Sequence, residues 1–244
     1  KIEWPVLREA ALYGLAGDVV KTLDPYSESD PVAVLLSFLT AFGASCPSPY
    51  YWVEGSDHRP RLFSAIVGQT ARARKGTSLA QVLTLLRDTD TARRVSGLSS
   101  GEGLIAEVRD ADITQQEDGS FASMGNGVED KRLLVVEAEL SRVLRVMSRD
   151  TSTLSAVLRD AWDTGDLSVL TRANPLRATG AHISIIAHIT KAELEKSLKD
   201  CDIHNGFGNR FLWALVRRSK VLPDGGKVPH EVFMGLKERI GACL

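Results

Sequence analysis

Cysteine is scarce in this chain, at three in 244 residues. Cys46, Cys201 and Cys243 are odd in number and far apart, with no Cys-x-x-Cys pair and no Cys/His cluster. That excludes a disulfide framework and a zinc site of the usual spacing. A reducing cytoplasm is the expected compartment. No stretch reaches the roughly 18 consecutive apolar residues of a membrane-spanning helix, so no membrane partner is expected. Net charge is also nearly absent, since 30 basic against 31 acidic residues leave −1. A polybasic nucleic-acid binder is thereby excluded. Contact with nucleic acid must come from local patches or from several assembled subunits.

What remains is the composition of an ordinary globular protein, 43% apolar and 25% charged, without repeats or low-complexity tracts. The length suits one large or two small domains. The chain opens mid-pattern at Lys1 and closes at Leu244 directly behind a helix-like segment, so a piece of a longer protein is expected.

The organising stretch is Leu62 to Ser78. A mostly apolar run ends in Gly68, and a small basic loop follows to Lys75-Gly76-Thr77-Ser78. Leu79, Val82, Leu83 and Leu86 then recur at helical spacing. Strand, tight loop with a lysine, helix: this is the layout of a phosphate-binding loop. Amides at a helix start lack partners and the helix dipole adds positive charge there, so both favour an anion. A lysine neutralises the outer phosphates and a hydroxyl helps hold Mg²⁺. The spacing is irregular. Lys75 stands one residue farther from Gly68 than in the standard pattern. Gly76 separates it from the hydroxyls, and the pattern's second glycine is missing.

On the amino-terminal side, a loose helix over 5–23 and a buried one after the Asp30-Pro31 cap predict a helical cap over residues 1–60. A short aromatic strand, Tyr50 to Val53, leads into the sheet. Beyond the loop, Leu133 to Val136 and Ala181 to Ile189 read as buried parallel strands. Asn209 to Val216 reads as a further strand. Polar residues 109–131 make a long excursion, a hairpin or a loop. Thr190 with Glu193 forms a capping box. The four tryptophans, Trp4, Trp52, Trp162 and Trp213, read as core packing. Apolar strands alternating with amphipathic helices predict an α/β layered sheet, with ligands at the carboxyl ends of its strands.

Several polar residues fall near strand ends: Lys75, Glu137, Glu139, His188 and, more loosely, Arg210. Nucleotide hydrolysis needs such a set: a metal-holding acid, a carboxylate to polarise water, a polar sensor and an arginine. Seven stretches then carry a resemblance: Trp4-Pro5; Ser27 to Pro31; Thr70 to Ser78; Ser96 to Leu104; Leu133 to Glu139; Arg177 to Ser184; and Gly206 to Trp213. Together they resemble a helicase-like ATPase family of bacteria, phages and integrated elements, often beside or fused to primase–polymerase domains. The Arg-Lys-Gly-Thr loop and the Asn-Arg-Phe-Leu-Trp segment are its most specific parts.

The resemblance implies an α/β P-loop NTPase with a RecA-like, mainly parallel sheet over 61–244, incomplete at its carboxyl end if the chain is a fragment. It implies ATP and Mg²⁺ binding and a DNA motor assembled as a homo-oligomeric ring, acting on single-stranded or duplex DNA beside a primase–polymerase. The nucleotide-binding set is then Gly68, Thr70, Arg74, Lys75, Gly76, Thr77 and Ser78, with Lys75 on the β- and γ-phosphates. Either Thr77 or Ser78 takes the magnesium, together with Glu137. Glu139 or Glu102 orients water, His188 is the sensor, and Arg210 the arginine finger, from the same or, in a ring, a neighbouring subunit. Structural roles compete: Glu102 in a capping box with Ser99, Glu139 favouring a helix start, Arg210 paired with a local carboxylate. Two rival functions follow from the same residues. One is a nucleotide-binding regulatory or scaffolding module with little turnover. The other is an ATP-independent DNA adaptor using Arg72, Arg74, Lys75, Arg93 and Arg94.

Overall fold

Five short strands, four of them mostly apolar, pair in parallel to make the central sheet, and the helices between them cover both faces. The computed structural model describes residues 4–46, 51–69, 73–115, 121–123, 125, 127–170, 175–197 and 206–244. In chain order the amino-terminal part holds α1 (Gly14–Leu23) and α2 (Pro31–Ser45), then a hairpin of β1 (Tyr51–Val53) and β2 (Ser56–His58). The loose helix expected over 5–23 begins late, at Gly14, after a 3-10 turn at Glu9–Ala11. Asp30 caps α2 as its sequence requires: its carboxylate accepts from the Val32 amide at 3.0 Å, and Pro31 takes the first helical position.

Next come β3 (Phe63–Gly68), α3 (Lys75–Leu85), β4 (Arg93–Val95) and α4 (Gly101–Ala106). The polar excursion contains a two-stranded hairpin, β5 (Ile113–Gln115) with β6 (Phe121–Ser123). Then follow β7 (Arg132–Glu137), α5 (Leu140–Met147) and α6 (Leu154–Asp163). A second hairpin, β8 (Leu167–Val169) with β9 (Leu176–Ala178), leads to β10 (His182–Ile189). The last elements are α7 (Lys191–Ser197), β11 (Phe211–Val216) and α8 (His230–Gly241).

The sheet order is β11-β3-β10-β7-β4, every neighbour parallel. The chain therefore enters at β3, runs out to the edge at β4, returns through β7 and β10, and crosses β3 to finish at β11. One strand, β10, lies between β3 and β7.

Side-chain alternation sorts the two faces. Leu133 and Val135 of β7 join Ile183, Ile185, Ala187 and Ile189 of β10 beneath α4, α5 and α6. Leu134 and Ile186 face the other way, beneath α1, α2, α3 and α8. Helices α1 and α2, the segment expected to cap the sheet, thus share one apolar cluster with α3. Burial of this kind contributes about 25 cal/mol per Å² of apolar surface and fixes the register of both faces. The tryptophans divide, against expectation. Trp162 meets Phe63 edge-on at 5.2 Å between ring centroids, whereas Trp52 is exposed and Trp4 half-buried. Among the described residues no helix is long and apolar enough to cross a membrane.

Candidate functional site

The site begins where β3 runs out. Gly68 ends the strand in a place with no room for a side chain. A Cβ there would lie 2.7 Å from the Ala73 Cβ and 2.8 Å from the Val216 carbonyl oxygen. The chain then turns into α3 through Arg74, held in the left-handed region at φ 53°. Its guanidinium pairs with Glu28 at 2.8 Å, and Glu28 also binds Arg218. The Arg218 hydrogen bond, first among several contacts, holds the Glu28 carboxyl down at about 2. Glu28 thus ties both the loop and the segment after β11 to the segment before α2.

Lys75, the first residue of α3, folds its ammonium back over the strand ends. It donates to the Gly68 carbonyl at 2.7 Å and to the Ile189 carbonyl at 3.3 Å. Burial lowers its pKa, opposed by the Glu193 charge. The Arg74 carbonyl accepts from the Thr77 amide at 3.1 Å and the Ser78 amide at 3.2 Å. The amides of Lys75 and Gly76 thus precede the first intrahelical bond, as the helix-start geometry requires.

A cavity of about 510 Å³ opens over these groups, within the roughly 300–1,000 Å³ of small-molecule sites. Lys75, Gly76, Thr77, Glu139, His188 and Glu193 line it. Its place follows from topology. The chain leaves β3 for α3 on one face and β10 for α7 on the other. The crevice between those departures is where open α/β sheets bind ligands. Six sequence-predicted residues, Arg74, Lys75, Gly76, Thr77, Glu139 and His188, meet here.

The two hydroxyls separate. Thr77 is exposed and lines the cavity, whereas Ser78 is buried and donates to the Lys75 carbonyl at 2.7 Å. His188 shares the sheet face of Ile186 and so lies on the α3 side. Burial first, then the Lys75 charge, pushes its pKa down to about 4, so the imidazole is neutral at pH 7. Among the described residues its buried Nε2 has no hydrogen-bond partner, a costly state unless a ligand supplies one. Glu193 makes the expected capping box: it accepts from the Thr190 hydroxyl at 2.7 Å, while its own amide donates to that hydroxyl. The Thr190 contact, first among several, lowers its pKa.

Other sequence-predicted residues are not brought together. Glu137 is a correction. It alternates with Leu133 and Val135, so its side chain enters the face opposite α3. There it is buried, accepting from the Gly97 amide at 2.6 Å and the Leu98 amide at 2.7 Å, with Arg142 at 3.6 Å. It anchors the turn between β4 and α4 and does not line the cavity. Glu102 accepts from the Thr153 hydroxyl at 3.1 Å, away from Lys75. Its helix is capped by Ser100, one residue later than expected, through the Gly103 amide.

Arg210 does not join the cavity of its own subunit. It precedes β11, at the amino end of a parallel sheet whose carboxyl end holds the cavity. At ~3.3 Å per residue the strand alone separates it from the cavity end by about 17 Å. It pairs with Asp163, Nε to Oδ1 at 3.1 Å, and donates to the Gly206 carbonyl at 2.7 Å. Thr70 and Arg72 lie outside the described residues. In the proposed basic patch, Arg93 pairs with Glu107 and Arg74 with Glu28, so those charges are already met.

No protein-family model matches the chain, and no curated protein does. The fold and this cavity therefore carry the functional reading. Sequence reasoning missed Glu193 and Gln69 as lining residues. The signal for Glu193 was present: its cap partner, Thr190, directly follows a fully buried strand.

Proposed function

We propose that the chain binds Mg-ATP on the Gly68–Ser78 connection and hydrolyses it. The carrying observation is one convergence: an ammonium resting on strand-end carbonyls, helix-start amides, a free hydroxyl and an orphaned buried imidazole nitrogen, all in the switch-point crevice. The strand order, with one strand between the loop strand and the acid-bearing strand, supports the RecA-like P-loop reading that the sequence resemblance implies.

The donor set fits a metal-complexed triphosphate. Lys75, Gly76 and Thr77 suit phosphate oxygens, whereas Glu139 and Glu193 would repel a bare polyphosphate. Mg²⁺ takes one or two carboxylates or hydroxyls and keeps waters and phosphates for the rest, so Thr77 with Glu193 would hold it. Among the described residues no cluster of three or more His, Cys, Asp or Glu side chains forms a closed metal cage. When bound, the ion neutralises charge on the outer phosphates.

Lys75 moves from the carbonyls of Gly68 and Ile189 to the outer phosphates. Glu139, exposed at the mouth, orients the attacking water and accepts its proton. Neutral His188 satisfies its Nε2 against the terminal phosphate or that water, reporting occupancy to β10. Joined to the family resemblance, this site drives a replicative helicase-like DNA motor of a phage or mobile element, assembled as a ring beside a primase–polymerase.

The test is steady-state phosphate release with and without single-stranded DNA. Glu139→Gln is expected to lower turnover about 100-fold or more while ATP still binds; unchanged turnover refutes the role. One observation favours a second reading, a nucleotide switch with little turnover. Arg74 is the one arginine among the described lining residues, and it is already paired with Glu28. Tight Mg-ATP binding with no phosphate release, DNA present or absent, would select that reading.

A further inference from the structure

A second cavity, of about 520 Å³, lies against the other side of the same strand end. Trp4, Gly68, Gln69, Leu215, Val216 and Arg218 are among its walls. Gln69 lines both cavities, so the two flank the end of β3. Their chemistry differs. The first offers an ammonium, helix-start amides and carboxylates. The second offers an indole ring, aliphatic side chains and the basic side chains of Lys191, Arg217 and Arg218, and its described walls include no carboxylate.

We propose that this second cavity receives the nucleobase of the nucleotide whose phosphates occupy the Lys75 cavity. The proposal rests on the phosphate-site reading above. Three observations carry it. First, the Trp4 ring is held in place by the Arg217 guanidinium, 4.8 Å from its centroid, which presents a fixed aromatic face. Flat bases stack on such faces irrespective of sequence. Second, the Arg218 Nε is buried without a partner among the described residues, although the same guanidinium binds Glu28. Adenine offers ring nitrogens as acceptors, the groups such a donor lacks. Third, Glu28 joins Arg218 of this cavity to Arg74 of the first. One carboxylate thus links the walls of both cavities and fixes them relative to each other.

The probes are ATP and inorganic tripolyphosphate, each with Mg²⁺, titrated by calorimetry against the intact chain and its variants. Trp4→Ala is expected to weaken ATP by about 10-fold or more and leave tripolyphosphate unchanged. Leu215→Gln, at a position 40% exposed and so tolerant of substitution, is expected to shift the ATP-to-tripolyphosphate ratio in the same direction. It keeps the proposal testable if Trp4→Ala fails to fold. Lys75→Ala is expected to weaken both ligands. If neither Trp4→Ala nor Leu215→Gln changes the ratio, the base lies elsewhere while the phosphate site stands. If the unaltered chain binds neither ligand, the phosphate site falls and the base site with it.

Discussion

Glu137 offers a sharp test, because its residue type suggests metal chemistry and its surroundings assign it to the fold. Its buried Oε1 accepts two consecutive amides, Gly97 at 2.6 Å and Leu98 at 2.7 Å. Glu137→Ala removes both acceptors at once. A buried amide left unpaired costs about 1–3 kcal/mol. The Leu98 bond is buried, whereas the half-buried Gly97 amide recovers part of its loss from water. The expected destabilisation is therefore about 2–5 kcal/mol. In a chain of this length each kcal/mol lowers Tm by about 2–4 °C, so Tm should fall by about 5–15 °C. Glu137→Gln keeps a neutral acceptor and should lose less than half as much. Thermal unfolding measures both variants, with Mg-ATP titration at a temperature where both stay folded. Unchanged Tm for Glu137→Ala, or nucleotide affinity lost in a fully folded Glu137→Gln, would refute the anchoring role and restore the metal one.

Thr77→Ala should weaken Mg-ATP in calorimetry. Ser78→Ala should cost about 1 kcal/mol of stability and leave nucleotide affinity alone; the reverse pattern would overturn the assignment of the two hydroxyls. Arg210→Ala should lower stability by about 1 kcal/mol through loss of the Asp163 pair and leave ATP affinity unchanged, read by the same two measurements. His188 titrates near its ordinary 6.5 when unfolded and at about 4 when folded. Below pH 6.5 the unfolded chain binds a proton that the folded chain refuses, so stability should fall from pH 6.5 toward 4. The slope approaches about 1.4 kcal/mol per pH unit. Denaturant unfolding across that range should show His188→Gln flattening the slope, with a remainder from buried His182, whose pKa burial also lowers.

Much of the sheet was legible because its strands are apolar without interruption. Leu133 to Val136 and Ala181 to Ile189 needed no tertiary information, since only a strand covered on both faces carries such runs. The strand–loop–helix around Gly68 and Lys75 was equally plain. Hairpin β8–β9 gave no readable signal, being two strands of three residues each with mixed burial. The site was half legible. Lys75, Thr77, Glu139 and His188 converge because each follows or ends an element pointing to the same sheet edge. The place of Arg210 was not legible because a strand's residues say nothing of which end faces the ligand; only the parallel pairing of β11 with β3 puts it at the far edge of its own subunit's sheet. Glu137 misled more subtly. Period-2 alternation already placed it with Leu133 and Val135, yet the face of α3 becomes known only once Val82 and Leu85 are seen packing with Leu134 and Ile186. Trp4 looked like core and proves to wall an open cavity.

The measurement closest to the central claim is calorimetric titration of Mg-ATP into the unaltered chain and into Lys75→Ala, each shown folded by its thermal transition. A hydrogen bond from a charged donor is worth about 1.5–3 kcal/mol, so the variant should bind about 10- to 150-fold more weakly at nearly unchanged stability. Equal affinities in the two proteins would contradict the account.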